Sequence, residues 1–308
     1  MENKNKTYFL LVIATAFWGI QPLCIKLLVT KWTPVTITCA RYFLISGLLF
    51  FILYLRKDKG LFPPQKCVFP LMLMGLMGIA INNIAQFTGL QYSTIINCTL
   101  ISATSPAITA FLSAICIKER LNGIQWMGIG ISFAGVLCVI SHGSLTFILH
   151  SEFNRGDILF FICQLSWTLY SIIGLKVMHQ ISALAATAWA GLFGATFTAL
   201  YGLIVGEVHF LPLFAPAVAA FMYTVICGGV LAMLFWNMGV KDAGPSLTAI
   251  FQNITPVVGV IGGTIFFNEI IGRADIAGAI GIFAGVYLTM HSNKVQEYLA
   301  RCWLKKSI

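Results

Sequence analysis

Long apolar stretches alternate with short polar ones along the whole chain. About ten of these stretches are roughly 20 residues long and nearly free of charge, which is the length a helix needs to cross a hydrocarbon core. Charged residues, prolines and turn-forming residues separate them. The predicted spans are Tyr8 to Val29, Pro34 to Leu55, Phe69 to Gln91, Ile95 to Ile117, Ile124 to Ser141, Asp157 to Met178, Ser182 to Val205, Ala217 to Val240, Ser246 to Phe267 and Asp275 to Met290. The pattern predicts an all-α integral membrane protein with about ten transmembrane helices. It excludes a barrel, whose strands would be short and alternate at period two.

The composition of the 308 residues supports a membrane protein and excludes several other classes. Hydrophobic residues make up 58% of the chain and charged residues only 9%, whereas a soluble domain carries about 25% charge. The net charge of +9 does not indicate nucleic-acid binding, because the basic residues lie mainly in loops and tails. The nine cysteines are scattered without a CxxC pair, which argues against a metal site. We therefore expect the lipid bilayer as a partner, no nucleic acid and no cofactor.

Lysine and arginine residues are distributed unequally between the two sets of predicted loops. An even number of spans places both termini on the same side of the membrane. If that side is the cytoplasm, most loop and tail cations are cytoplasmic, and the opposite loops keep only Lys31, Arg155 and Arg273. The positive-inside rule then predicts that both termini are cytoplasmic.

An internal repeat with an offset of 150 residues divides the chain. The quartet Phe133-Ala134-Gly135-Val136 recurs unchanged at 283–286, and the same offset relates Gly78 to Gly228. We predict a first five-helix unit at residues 1–150, a second at 151–292 and a basic cytoplasmic tail at 293–308. Because five is odd, the second unit enters the membrane from the opposite face, so the two are predicted to be inverted repeats. Such repeats are typical of transporters, although a duplication can also be retained for folding alone.

The repeated motif resembles the two EamA units of a drug/metabolite transporter. It consists of a proline within the fourth span of each unit, a glutamate at the end of that span and spaced glycines in the fifth. Its residues are Pro106, Glu119, Gly128 and Gly135, and again Pro256, Glu269, Gly278 and Gly285. The resemblance covers essentially the whole chain. It implies a bacterial-type inner-membrane exporter with a substrate cavity between its halves, and it says almost nothing about the substrate. The two copies differ at one point, because Lys118-Glu119-Arg120 corresponds to Asn268-Glu269 followed by no basic residue.

Polar residues inside the spans are the candidates for substrate contact. Pro106 and Pro256 interrupt helical hydrogen bonding in two unusually polar stretches, and kinked helices at corresponding positions of two inverted halves indicate a transport site. The alternative is that each kink only fits its neighbours. The predicted substrate-binding residues are Trp18, Asn83, Gln86, Asn97, Ser102, Trp167, Tyr170, Trp236, Gln252 and Asn253. Hydrogen bonds between helices explain the amide side chains equally well. Packing in the core explains the tryptophans equally well.

Four charged residues lie within or at the ends of the predicted spans. Arg41 lies about 10 Å into the second span at 1.5 Å per residue. It could snorkel outward or form a structural pair, or it could attract an anionic substrate group such as a carboxylate. Lys26 is expected to snorkel. Glu119 and Glu269 are predicted to have structural or gating roles, with local pairing (to Arg273 for Glu269) favoured over a buried proton relay.

Together these features predict a secondary transporter that is not an enzyme. It would move small amphipathic metabolites such as amino acids, by alternating access at a midplane cavity. An intramembrane enzyme and a non-transporting scaffold are the alternatives. All ten acidic residues and all five histidines map to tails, loops or span ends, so transport without proton coupling is expected. The small-residue stripes Ala277, Gly281 and Gly285, and Gly130 with Ala134, could pack the fifth and tenth spans together or form a homodimer face.

Overall fold

The computed structural model describes residues 2–116, 122–140, 143 and 154–290. Glu119, the tail at 293–308 and the junction between the two predicted units at 150/151 lie outside the described residues.

The described residues form helices joined by short turns and contain no strand. The helices of the first half are α1 Glu2–Leu28, α2 Pro34–Leu55, α3 Gln65–Met74, α4 Asn82–Tyr92, α5 Ile95–Ser102, α6 Ser105–Cys116 and α7 Gly123–Ile140. Those of the second half are α8 Arg155–Met178, α9 Ala183–Val205, α10 Ala215–Val225, α11 Ala232–Ala243, α12 Pro245–Ala249, α13 Ile254–Phe267 and α14 Arg273–Met290. Within the described ranges, eight helical segments are long and apolar enough to cross a membrane. The protein is therefore an all-helical, multi-pass membrane protein.

The ends of several helices are set by side chains that bind free backbone N–H groups. Thr33 accepts from Thr36 N at the start of α2, Thr94 from Asn97 N at the start of α5, and Ser182 from Ala185 N at the start of α9. Threonine and serine are preferred at this position because a helix leaves its first N–H groups without internal partners. Such turns let consecutive helices reverse direction within a few residues.

A π-helical segment occurs at corresponding positions of the two halves. Gly75–Ile81 joins α3 to α4, and Ile226–Leu231 joins α10 to α11. The wider turn changes the direction of the side chains that follow it, and π-segments are frequent at functional sites. Glycine is required in both segments: a Cβ at position 78 would overlap the ring of Tyr170, and one at position 228 would overlap Gln21 Oε1.

The fourth span of each half is broken rather than kinked. α5 ends at Ser102 and α6 begins at Ser105, while α12 is followed by a 3₁₀ turn, Ile250–Asn253, before α13. Pro106 and Pro256 therefore lie in the first turn of a new helix, where a missing N–H costs little. The breaks bring polar residues at the ends of these segments toward the centre of the molecule.

Glycines allow α7 and α14 to pack closely against each other. A Cβ at Gly135 would lie 2.7 Å from Gly278 O and from Ile282 N, and one at Gly281 would lie 3.2 Å from Gly135 Cα. Such small-residue contacts let membrane helices approach at the backbone. The stripe on α14 is thus used within the chain.

Candidate functional site

A cavity lies between the two halves of the chain. Helices α1, α2, α4 and α5 contribute from the first half, and α8, α11, α13, the second π-segment and the 3₁₀ turn from the second. The lining residues are Trp18, Gln21, Pro22, Tyr42, Asn82, Asn83, Gln86, Cys98, Thr99, Ser102, Cys163, Gln164, Trp167, Gly228, Met233, Gln252 and Thr255. No ionised side chain belongs to this lining, which combines amides and hydroxyls with aromatic surface.

Six of the ten residues predicted to bind substrate line this cavity, and four do not. Those in the lining are Trp18, Asn83, Gln86, Ser102, Trp167 and Gln252. Those outside it are Asn97, Tyr170, Trp236 and Asn253. Ser102 and Gln252, although 150 residues apart, both line the cavity from the broken fourth span of their half.

Three tryptophans form an aromatic cluster at one side of the cavity. The Trp18 ring lies 5.2 Å from that of Trp167, edge to face, and 5.2 Å from that of Trp236. Trp18 Nε1 donates to Gly228 O at 2.9 Å, whereas Trp167 Nε1 has no hydrogen-bond partner among the described residues. Trp236 is fully buried and donates to Ser171 Oγ at 3.1 Å. Trp236 therefore supports the other two rings from behind.

Tyr170 also supports the cluster from behind. Its ring stacks on Trp167 with centroids 4.9 Å apart and planes 15° apart. The Tyr170 hydroxyl accepts from Asn237 Nδ2 at 2.6 Å, and the same amide group donates to Thr187 Oγ1 at 2.7 Å. Satisfied polar contacts of this kind fix the position of a buried ring.

Asn97 is not part of the cavity lining and binds a buried carboxylate. Its Nδ2 donates to both oxygens of Asp157, at 3.1 and 3.3 Å, and Ser93 Oγ donates to the same carboxylate. Asp157 is fully buried and lies in the first turn of α8, where the helix dipole favours a negative charge. Asn253 ends the 3₁₀ turn, and its Oδ1 is buried without a hydrogen-bond partner in the described structure.

Arg41 does not snorkel, because its side chain is buried in the centre of the protein with 1% exposed. Its Nη1 donates to Asn83 Oδ1 at 3.1 Å, and its Nη2 donates to Gln21 Oε1 at 3.1 Å and to Thr224 O at 3.0 Å. The guanidinium also lies 5.3 Å from the Phe87 ring centroid. The cation is thus held one layer behind the cavity wall by two amides that belong to that wall.

Glu269 is not paired with Arg273, contrary to the local pairing expected from sequence. Its carboxylate accepts from Ile95 N at 2.9 Å and from Ile96 N at 3.0 Å, at the start of α5. Lys26 Nζ lies 3.8 Å from the same carboxylate and donates to Ser93 O at 2.8 Å. Glu269 therefore connects the second half to the start of α5 in the first half, and Lys26 lies beside it.

Several lining residues were missing from the predicted set. Gln21 lies three residues after Trp18, and Gln164 three residues before Trp167, so each shares a helix face with a predicted residue. The same spacing relates Thr255 to Gln252. This i, i+3 rule applied to each predicted residue would have found all three. Cys98 and Cys163 also line the cavity, and nothing in the sequence distinguishes them from the other buried cysteines.

Two buried polar atoms of the lining residues have no hydrogen-bond partner in the described structure. Gln164 Nε2 donates to Ser102 Oγ at 3.0 Å, which leaves Gln164 Oε1 as a buried acceptor without a partner. Trp167 Nε1 is the corresponding unpaired donor. Among the described residues there is no group of three or more His, Cys, Asp or Glu side chains that could hold a metal. The chemistry available here is hydrogen bonding and aromatic contact.

The chain is similar to one transporter family, to proteins named as transporters and to a solved structure. The sequence pattern of the EamA-like transporter family matches the chain twice, at residues 5–141 and 154–291. The chain is 27% identical over 305 residues to a Bacillus subtilis protein named uncharacterized transporter YyaM, with 97% of each chain covered. It is 26% identical over 281 residues to the Escherichia coli (strain K12) protein named uncharacterized inner membrane transporter YedA, covering 89% of this chain and 87% of the other. A crystal structure with 18% identity superposes with a TM-score of 0.68 over 94% of this chain and 99% of that one, which shows a shared fold.

Proposed function

Because the chain belongs to the EamA-like transporter family, we propose that it is a secondary transporter that carries a small amphipathic metabolite, such as an amino acid, through the cavity between its halves. The observation that carries this proposal is the cavity itself. Both halves of a multi-pass membrane protein place amide, hydroxyl and indole groups around one space, and small-molecule sites typically combine apolar or aromatic surface with a few polar groups in this way.

The architecture we propose is ten membrane-spanning helices arranged as two inverted repeats of five. Supporting it are the constant offset of 150 residues and the paired π-segments, Gly75–Ile81 and Ile226–Leu231. The break in the fourth span of each half is a further correspondence. α7 and α14 would supply the ninth and tenth crossings beyond the eight apolar segments. Rocking of one repeat against the other would then open the cavity to each side in turn.

The proposed substrate-binding residues are the six predicted ones in the cavity lining, namely Trp18, Asn83, Gln86, Ser102, Trp167 and Gln252. The indole faces of Trp18 and Trp167 would contact the apolar part of the substrate. Its polar part would meet the unpaired Gln164 Oε1 and the neighbouring amides, since buried polar atoms without partners are costly. Asn97, Tyr170 and Trp236 would support this site from behind its wall.

We further propose an inner-membrane location with both termini in the cytoplasm and transport directed outward. The Lys/Arg asymmetry supports the orientation, and the name of the E. coli relative supports the membrane. The cavity lining contains no Asp, Glu or His, so the proposal includes transport down the substrate gradient without proton coupling.

Counterflow in proteoliposomes tests this function. Vesicles loaded with each unlabelled amino acid in turn should accumulate the labelled form transiently and saturably, whereas an enzyme or a scaffold gives no saturable exchange. Trp18→Ala and Trp167→Ala should each lower exchange about tenfold, equivalent to about 1.4 kcal/mol. This is the size of loss expected when one aromatic side chain no longer contacts the substrate.

Trp126→Ala is the matched control, because Trp126 is a half-exposed tryptophan on α7 that packs against Phe111 and does not line the cavity. Exchange by this variant should equal wild type at equal abundance. If all three variants exchange equally well, the cavity is not the transport site.

A further inference from the structure

Arg41 is a fully buried cation whose three hydrogen bonds all go to neutral acceptors. Two are side-chain amides, of Asn83 and Gln21, and the third is the Thr224 carbonyl, while Arg41 Nε has no partner. Two aromatic rings, Tyr42 and Phe87, also face the guanidinium at 5.4 and 5.3 Å. Among the described residues no carboxylate lies within 4.0 Å of it, since the one ion pair in that set joins Lys26 to Glu269.

A buried charge without a counter-charge is expensive to maintain. Removing a guanidinium from water costs several kcal/mol, and neutral acceptors compensate only part of this. Arginine stays protonated in proteins, so the positive charge persists. Ionisable residues inside membrane segments are accordingly functional candidates. The unbalanced charge lies directly behind a cavity whose own lining carries no ionised group.

Gln21 connects this charge to the cavity. A guanidinium only donates hydrogen bonds, so the amide oxygen of Gln21 must face Arg41 and its Nε2 faces elsewhere. Gln21 belongs to the cavity lining, and no described residue accepts a hydrogen bond from its Nε2. A Cβ at Gly228 would overlap Gln21 Oε1 and lie 3.9 Å from Arg41 Nη2. Glycine at position 228 therefore leaves room for the Gln21 amide and the Arg41 guanidinium beside the cavity wall.

We propose that the transported substrate carries a carboxylate, that Gln21 Nε2 donates a hydrogen bond to it, and that Arg41 balances its charge from behind the wall. This inference rests on the proposed transport function. Gln21 is the contact residue, and Arg41 is a positioning residue that orients the amide and supplies the field. Trp18 lies one helical turn from Gln21 on α1, so the substrate is an apolar or aromatic body bearing a carboxylate.

Matched acid and amide pairs test the charge requirement. The probes are hydrocinnamate with hydrocinnamamide, L-phenylalanine with L-phenylalaninamide, and L-leucine with L-leucinamide. Binding to the full-length purified protein in detergent is followed by quenching of tryptophan fluorescence. At least one acid should bind about tenfold more tightly than its amide, equivalent to about 1.4 kcal/mol. If no acid binds more tightly than its own amide, the inference is wrong.

Variants separate charge balance from simple structural support. Gln21→Glu keeps the shape of the side chain, removes the Nε2 donor and places a carboxylate against Arg41, so the acid should bind at least about tenfold more weakly and lose its preference over the amide. Arg41→Lys keeps the charge and should retain the preference for the acid, whereas Arg41→Gln should abolish it. Arg56→Gln is the matched control, because Arg56 caps the same helix and is exposed. An unchanged acid preference in Gln21→Glu, with folding intact, overturns the assignment.

Counterflow of the same compounds distinguishes the two proposals. If the amides exchange and the acids do not, the protein is a transporter and the carboxylate inference fails. If no probe binds or exchanges, the carboxylate inference fails, and the broader counterflow screen with amino acids decides the proposed function separately.

Discussion

Glu269 joins the end of α13 to the start of α5. Replacing it measures how much this connection between the halves contributes to the stability of the fold. Both carboxylate oxygens accept backbone hydrogen bonds, at 2.9 Å from Ile95 N and 3.0 Å from Ile96 N. These N–H groups belong to the first turn of α5, where no helical partner is available to them. Thr94 satisfies only the next one, at Asn97.

The expected cost of Glu269→Ala follows from these contacts. A hydrogen bond to a charged group contributes about 1.5–3 kcal/mol, and a buried donor left without a partner costs about 1–3 kcal/mol. The Glu269 side chain is 10% exposed, so water replaces it only partly. We therefore expect the free energy of unfolding to fall by about 2–4 kcal/mol. Glu269→Gln keeps one good acceptor without the charge and should cost about half as much.

The ion pair with Lys26 should contribute much less. Its N···O distance is 3.8 Å, and the Lys26 side chain is 26% exposed. Pairs of this kind contribute about 0.2–1 kcal/mol. A double-mutant cycle of Lys26→Met with Glu269→Ala should therefore give a coupling energy below about 1 kcal/mol.

Unfolding of the purified protein by SDS in mixed micelles measures these values. Glu207→Ala is the control, since Glu207 is an exposed glutamate in the loop after α9, and it should match wild type. Equal unfolding free energies for Glu269→Ala and Glu207→Ala would refute the reasoning. So would a Glu269→Gln variant that unfolds normally and loses only the pH dependence of transport, because that result indicates a proton site.

Three further predictions concern topology, packing and coupling. Cysteines can be introduced at two exposed loop positions, Phe62→Cys and Phe210→Cys. The first should react with a membrane-impermeant maleimide only after cells are permeabilised, and the second should react in intact cells. The reverse pattern contradicts cytoplasmic termini. Gly135→Ala forces a Cβ to 2.7 Å from the α14 backbone and should lower the unfolding free energy by about 1–3 kcal/mol. Gly130→Ala meets no atom within 4 Å and should be neutral or slightly stabilising; equal stability of the two variants contradicts the packing. An imposed pH gradient should leave the plateau of substrate uptake unchanged, and accumulation that a protonophore abolishes would show proton coupling.

The helical segments and the family follow from the sequence because each depends on local properties. A span must be apolar over about 20 residues wherever it lies, so hydropathy alone located the helices to within a few residues. The motif with Pro106 and Pro256 was sufficient to recognise the family.

The partners of each polar side chain were decided only by the tertiary structure. Arg41 meets Gln21 from α1 and Thr224 from α10, and Glu269 meets α5, across separations of 20 to 183 residues. The same packing places Tyr170 behind Trp167 rather than in the cavity. A polar side chain in hydrocarbon gains by finding a partner within the protein, and which partner it finds depends on how helices that are distant in sequence pack together.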